Sequence, residues 1–157
     1  MTEPEIQFRR ATKNDLNAIV SVLAADPLGA RRERTGAVPD PAYTNAFDAI
    51  DADANQELIV ATLRNEIAGV LQITFIPSLT YTGSWRAQIE GVRVAEGVRS
   101  GGIGRRLVQY AIERAVARSC RIVQLTTDKQ RPRAISFYQQ LGFVSSHEGM
   151  KLHLREP

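Results

Sequence analysis

The chain has 157 residues, 43% of them apolar and 24% charged, and its 20 Lys and Arg stand against 17 Asp and Glu for a net charge of +3. That length buries a real core and predicts one domain over residues 1–157, with the composition of an ordinary globular protein. No apolar run approaches the ~20 residues that span a bilayer, the lone Cys120 excludes an internal disulfide, and so small a basic excess with 6% aromatics argues against nucleic acid. Residues 1–5 are acidic and lack an apolar signal core, which with the single thiol predicts a cytoplasmic protein.

Ile6–Arg10 alternates apolar and polar residues, as a half-buried strand does. Thr12 is a plausible N-cap for a helix whose apolar face holds Leu16, Ile19, Val20 and Leu23, ended by Asp26 and Pro27. Residues 28–41, with two Gly, several Arg and two Pro, read as a mobile loop. A second helix is predicted over 42–51, with Tyr43, Phe47 and Ile50 on one side. Two β-branched runs, 57–63 and 66–76, flank Arg64 and Asn65 as a hairpin. A loop over 77–83 leads to a third strand, 85–94. The stripe Ile103, Leu107, Val108, Ala111, Ile112, Ala115 and Val116 marks a helix over 102–117. A strand follows over 121–127, then a short helix over 133–141 stopped by Gly142. Residues 143–144 and 150–154 are predicted to close the chain as two strands. This order implies a mixed sheet covered by helices.

The junction after the third strand is the most informative stretch. Val92-Arg93-Val94 breaks into Arg99-Ser100-Gly101-Gly102-Ile103-Gly104, and an amphipathic helix starts at once. Glycines let backbone approach a ligand closely, and the first N–H groups of a helix point outward with the positive end of its dipole behind them. Such a junction suits a phosphate. Arg93, Arg99, Arg105 and Arg106 add charge-assisted donors nearby. A tight turn alone would explain one glycine, but not three with four arginines. A Walker loop fails because Ile103 and Gly104 follow the Gly97-to-Gly102 spacing, and a dinucleotide fingerprint fails because Leu107 stands where a third glycine belongs.

The run from Arg99 to Gly104 instead fits Arg/Gln-x-x-Gly-x-Gly/Ala, with Val92-Arg93-Val94 upstream. Ala134-Ile135-Ser136-Phe137-Tyr138-Gln139-Gln140-Leu141-Gly142-Phe143 fits Ala-x-x-Phe-Tyr-x-x-x-Gly-Phe. In these motifs the sequence resembles the GNAT superfamily of acyl-CoA-dependent N-acetyltransferases, strongly from about Ile67 to Phe143 and by element order before that. The resemblance implies an α/β fold with a mixed, mostly antiparallel central sheet flanked by helices. It implies acetyl-CoA as acyl donor, bound by Val92, Arg93, Val94, Val98, Arg99, Ser100, Gly101, Gly102, Ile103, Gly104 and Arg105. Within that set, the N–H groups of Val98, Gly102 and Gly104 would hold the pyrophosphate, with Arg99 and Arg105 nearby. The strand carrying Val92 and Val94 would splay from its neighbour, turning the Val92 N–H toward the thioester oxygen.

Glu90 is the candidate base and Tyr138 the candidate acid. Family members carry an acidic residue two or four positions before the Val-x-Val pair, here Glu90 or Gln88, so a water relay through Gln88 is an alternative. Glu90's apolar neighbours predict partial burial. A solvated or salt-bridged strand carboxylate and a packing tyrosine are the structural alternatives for the pair. Many relatives have Asn where this chain has Arg131; Arg131 or Arg133 is a candidate for the adenosine phosphate instead. The expected acceptor is a small amine-bearing metabolite or a peptide N-terminus, with a homodimer left open. The alternatives are a non-catalytic acyl-CoA-binding regulatory module and a protein lysine or N-terminal acetyltransferase. His147 and His153 lack neighbours at ligand spacing, so no metal is expected. Trp85, Tyr43, Phe47 and Tyr81 fall on the acceptor side in relatives, chiefly as core. Arg31, Arg32 and Arg34 read as a solvated run or, alternatively, as recognising an acidic group on the acceptor.

Overall fold

The computed structural model describes residues 5–155. Strand β1 (Ile6–Arg10) leads through a 3₁₀ turn to α1 (Leu16–Leu23), the single turn α2 (Pro27–Ala30) and α3 (Pro41–Ala52). Strands β2 (Gln56–Leu63) and β3 (Glu66–Pro77) follow. The turn-like α4 (Thr80–Gly83) precedes β4 (Trp85–Val94), and a second 3₁₀ turn precedes α5 (Ile103–Ala117), β5 (Cys120–Leu125) and α6 (Pro132–Gln140).

Local chemistry starts and stops these elements. Asp26 caps α2 by accepting the Gly29 N–H at 2.6 Å, and Asp40 caps α3 by accepting that of Ala42 at 2.9 Å, each with a proline at the first helical position. Arg64 and Asn65 sit at φ +52° and +65°, the pair of left-handed residues a two-residue hairpin needs to match strand twist. The sheet order is β1-β2-β3-β4-β5. Its first four strands pair antiparallel and β5 runs parallel to β4, the crossover being α5.

Two cores sandwich this sheet. On one face Ile103, Leu107, Val108, Ala111 and Ala115 of α5 pack on Ile59, Leu71, Ile73, Phe75, Ala87 and Ile89. On the other, Leu16, Ile19, Val22 and Phe47 of α1 and α3 pack on Val60 and Val70. The predicted α5 stripe is narrower than expected, because Ile112 is only partly buried and Val116 is 70% exposed.

The two closing strands do not form. Among the described residues no strand follows β5, and Val144, Met150, Leu152 and Leu154 are all exposed. Their alternation is a local signal, whereas a strand exists only through a ladder partner, and none pairs with this segment.

Candidate active site

The site is built where β4 changes neighbours. Gln72 pairs with Glu90 and Val70 with Arg93, so Gly91 and Val92 together oppose Leu71 alone. Gly91 takes φ +63° in this bulge, a conformation that strains any residue with a Cβ. The β4–β5 ladder ends at Ile89 and Leu125 while β4 runs on to Val94. The edge of β4 from Glu90 to Val94 that faces away from β3 therefore has no strand partner, because β5 itself ends at Leu125.

Alternation sorts the side chains here. Ile89, Val92 and Val94 pack toward the α5 core, which leaves Glu90 and Arg93 on the opposite face, toward α1. Glu90 is exposed, against the expected partial burial. Gln88 is tied to β5 by its Oε1, which accepts from Gln124 Nε2 at 2.7 Å. Gln72 Nε2 and Thr74 Oγ1 each donate to Gln56 Oε1 at 2.8 Å, extending a row of amides across this face.

The glycine loop is exposed at Ser100, Gly101 and Gly102, and Gly102 takes φ +69° immediately before α5. A Cβ placed at Gly102 would meet nothing within 4 Å, so its surface faces solvent. The first helical bond of α5 runs from Arg106 N–H to Gly102 C=O at 3.1 Å, which leaves the N–H groups of Ile103, Gly104 and Arg105 without intrahelical acceptors. Gly104 has a second role, since its missing side chain lets α5 lie against Val94 and Phe137, 3.4 and 3.5 Å from where a Cβ would stand.

Not every donor grouped with this loop lies there. The Val98 N–H is engaged by Ala95 C=O at 3.1 Å, a bond of the 3₁₀ turn. Arg106 lies over the Phe8 ring, 5.6 Å from its centroid, drawn off to β1. Arg99 stays at the loop, its Nε 3.3 Å from Val94 C=O, and Arg105 is exposed beside it. Arg93 faces the other way: Nη1 donates to Val92 C=O at 2.7 Å and Nε lies 3.3 Å from Asp26 Oδ2. Arg131 also turns to Asp26, Nη2 to Oδ2 at 2.8 Å, and not outward to an adenosine phosphate.

Tyr138 projects from α6 between Phe137 and Phe143, with ring centroids 5.1 and 5.8 Å away at steep angles. Burial pushes its phenol up from the ordinary tyrosine value, while the positive charges of Arg93 and Arg131 pull against that rise. The proton is thus held at neutral pH, and the phenolate left by its departure would face two cations.

The remaining singled-out residues are structural. Phe47 is core, and Tyr43 donates its hydroxyl to Glu33 Oε2 at 2.8 Å while accepting the Arg34 N–H at 2.9 Å, pinning the 28–41 loop to α3. Trp85 packs against the α5 core and Tyr81 lies under Arg121. Burial raises the Cys120 thiol, with Arg118 opposing, which keeps it from being a ready nucleophile. His147 bonds its neighbour Ser146 at 2.7 Å, and no group of three metal-binding side chains occurs among the described residues. Sequence reasoning missed Asp26 as a site residue. Its only local signal is Asp-Pro at a helix start, and its partners lie 67 and 105 positions away in the chain.

Comparison with known proteins places this geometry. The family model described as the acetyltransferase (GNAT) family matches residues 27–143. No curated protein matches the sequence. Among solved structures, a transcriptional regulator from Bacillus halodurans C-125 is 54% identical with a TM-score of 0.93, covering 96% of this chain and 100% of its own. A putative acetyltransferase from Agrobacterium tumefaciens str. C58 is 26% identical with a TM-score of 0.83, over 94% and 99%. An aminoglycoside N-acetyltransferase in complex with CoA shares the fold at 15% identity and a TM-score of 0.79, over 98% and 97%. The matched model spans the bulged β4, the glycine loop, α5 and the Phe-Tyr segment of α6, and the chain belongs to the GNAT acetyltransferase family.

Proposed function

We propose that this chain transfers acetyl from acetyl-CoA directly to the amine of a small metabolite or a peptide N-terminus, both substrates being bound together. The observation that carries the reading is the end of the β4–β5 ladder at Ile89 and Leu125, followed within fifteen residues of β4 by the solvent-facing glycine loop. A pantetheine arm fits against an unpaired strand edge, and a pyrophosphate fits at unsatisfied helix N–H groups.

The chain's own groups then divide the work. An alkylammonium with a pKa near ~10.4 is less than about 0.1% neutral at pH 7, so a base must take its proton. Glu90 is exposed on the face of β4 toward α1 and takes that role, directly or through a water held by Gln88. The amine nitrogen forms the new bond to the acetyl carbon as the carbon–sulfur bond breaks. The Val92 N–H stabilises the negative charge that develops on the thioester oxygen, worth roughly 10²- to 10³-fold in rate for one such donor. Tyr138 gives its proton to the departing thiolate. Arg93 and Arg131 stabilise the phenolate until the proton returns.

Thiol release measured with an amine panel tests this. Glu90→Gln with Tyr138→Phe is expected to lower kcat by about 10² or more while CoA still binds, in line with what positioned acids and bases contribute. An unchanged kcat removes both assignments. The second reading, a non-catalytic acyl-CoA-binding regulatory module, is supported by the Bacillus halodurans neighbour, a transcriptional regulator. It is the reading that survives if CoA binds and no amine in the panel is acetylated.

A further inference from the structure

Two guanidinium groups meet beyond the end of the β4–β5 ladder, and one carboxylate faces them. Arg93 comes from β4, Arg131 from the start of α6, and Asp26 from the start of α2. Arg32, two residues past α2, is exposed and adds its positive charge to the field on Asp26 and Arg93 from outside the cluster. The side chains of Arg93, Arg131 and Asp26 are 17%, 21% and 20% exposed, so this is an interior cluster and not a solvated charge run.

The donors greatly outnumber the acceptors. Asp26 Oδ1 is committed to the Gly29 N–H, which leaves Oδ2 to serve both arginines. Arg93 Nε is buried and makes no hydrogen bond, since its 3.3 Å approach to Oδ2 is poorly aligned. Among the described residues the ion pairs of Arg93 and Arg131 are to Asp26 alone. A guanidinium presents five N–H donors in a planar fork that matches the two oxygens of a carboxylate or phosphate, and here each fork is mostly unused. Burying unpaired positive charge is costly unless an anion arrives to share it. The charges also act as one system. Although burial pushes Asp26 up, the Gly29 N–H and then Arg93, Arg131 and Arg32 hold its carboxyl below the usual range. Burial, followed by the like charge of Arg131, pulls Arg93 below the ordinary guanidinium value.

The position of the cluster says which ligand it serves. Arg93 shares its face of β4 with Glu90, the candidate base, and both Arg93 and Arg131 act on Tyr138, the candidate acid. Any group held by these forks lies next to the reacting amine, across the strand from the glycine loop.

We infer that Arg93 and Arg131 form an oxyanion subsite for the acceptor, so that the amine acetylated by this chain carries a carboxylate or phosphate close to its nitrogen. This rests on the acetyl-transfer reading. Asp26 is then an internal placeholder that holds the forks in position and lowers their affinity for anions.

Paired acceptors test it: amino acids against their methyl esters, and aminoalkyl phosphates against the matching amino alcohols. The anionic member of at least one pair is expected to have a kcat/KM about thirtyfold or more above its neutral partner, the scale set by losing one half of a buried charge pair. Which pair shows the gap separates a carboxylate from a phosphate. Arg131→Gln is expected to raise KM for the anionic acceptor by a similar factor while KM for acetyl-CoA stays unchanged. Asp26→Asn keeps an oxygen for the Gly29 N–H and is expected to lower the acceptor KM several-fold. A purely structural network predicts the opposite, a rise. Equal rates within every pair, an Arg131→Gln effect on acetyl-CoA instead, or a raised KM in Asp26→Asn each overturns the inference while acetyl transfer stands. If no amine reacts, acetyl transfer fails and a binding readout decides. Inorganic phosphate titrated into the CoA-saturated protein is expected to raise Tm in the wild type and not in Arg131→Gln, whose circular dichroism reports its fold. No rise in the wild type overturns the subsite.

Discussion

Asp15 illustrates how one side chain serves both a local and a distant partner. Its Oδ2 accepts the Thr12 N–H at 2.6 Å, closing the turn before α1, and Arg9 reaches it with two nitrogens at 2.7 and 2.9 Å. The Arg9 hydrogen bonds are the largest cause, opposed by burial and aided by the Thr12 bonds, and the carboxyl falls from 3.8 to about 2. A carboxyl depressed in the folded state adds stability that is complete above the unfolded value and is lost as pH falls through the folded one. That window lies between about pH 4 and pH 2. Because the Arg9 side chain is 43% exposed, solvent screening reduces the contribution to about 1–2 kcal/mol. Asp15→Asn is expected to lose that amount at pH 7 in urea unfolding, with the gap to wild type closing by about pH 2. Thr12 was legible in the sequence as the start of the helical run, but it caps the 3₁₀ turn over Lys13–Asp15, and Asp15 stands at the N-cap of α1. The bidentate arginine was not legible, because it reaches back from β1 across the turn.

At the scale of elements, the placement of α5 governs the site, since the glycine loop is its N-terminus. Near its far end, Arg114 reaches Glu57 of β2 with Nε at 3.0 Å and Nη2 at 2.7 Å, and Glu57 is only 4% exposed. Removing the arginine strands a buried carboxylate, so Arg114→Met is expected to cost about 3 kcal/mol, read from the urea midpoint at constant slope. The acetyl-CoA KM should rise with the loosened helix. The α5 stripe, the Arg64-Asn65 hairpin and the strand-loop-helix junction were all readable, because each is set by periodicity or turn chemistry over a few residues. The two closing strands were misread for the same reason. Met150, Leu152 and Leu154 alternate as a strand would, but alternation does not supply a partner edge.

At the scale of the molecule, the sheet is a plate between two apolar cores, and its bulged fourth strand carries Glu90 and Arg93. Leu107 is fully buried in the α5 core, its Cδ2 3.4 Å from where a Cβ on Gly69 of β3 would stand. Leu107→Ala is expected to cost about 3 kcal/mol by opening a cavity in this layer, measurable as a lower midpoint in denaturant. What the amino-acid sequence determined by itself was the family pattern, the order of the five strands and of α1, α3, α5 and α6, the glycine loop and the identity of Glu90 and Tyr138 as candidates; the single turns α2 and α4 lie in stretches that read as loop. The elements and the loop follow from periodicity and turn chemistry, and the two candidates from the family resemblance of the motifs around them. Tertiary structure alone decided that Val98 spends its N–H within a turn, that Arg106 leaves for Phe8, and that Glu90 is exposed. It also decided that Arg93, Arg131 and Asp26 meet beyond the end of the β4–β5 ladder. A side chain's direction depends on which strand register and which helix packing win, and charges more than sixty residues apart in the chain become neighbours only once the sheet has closed on both cores.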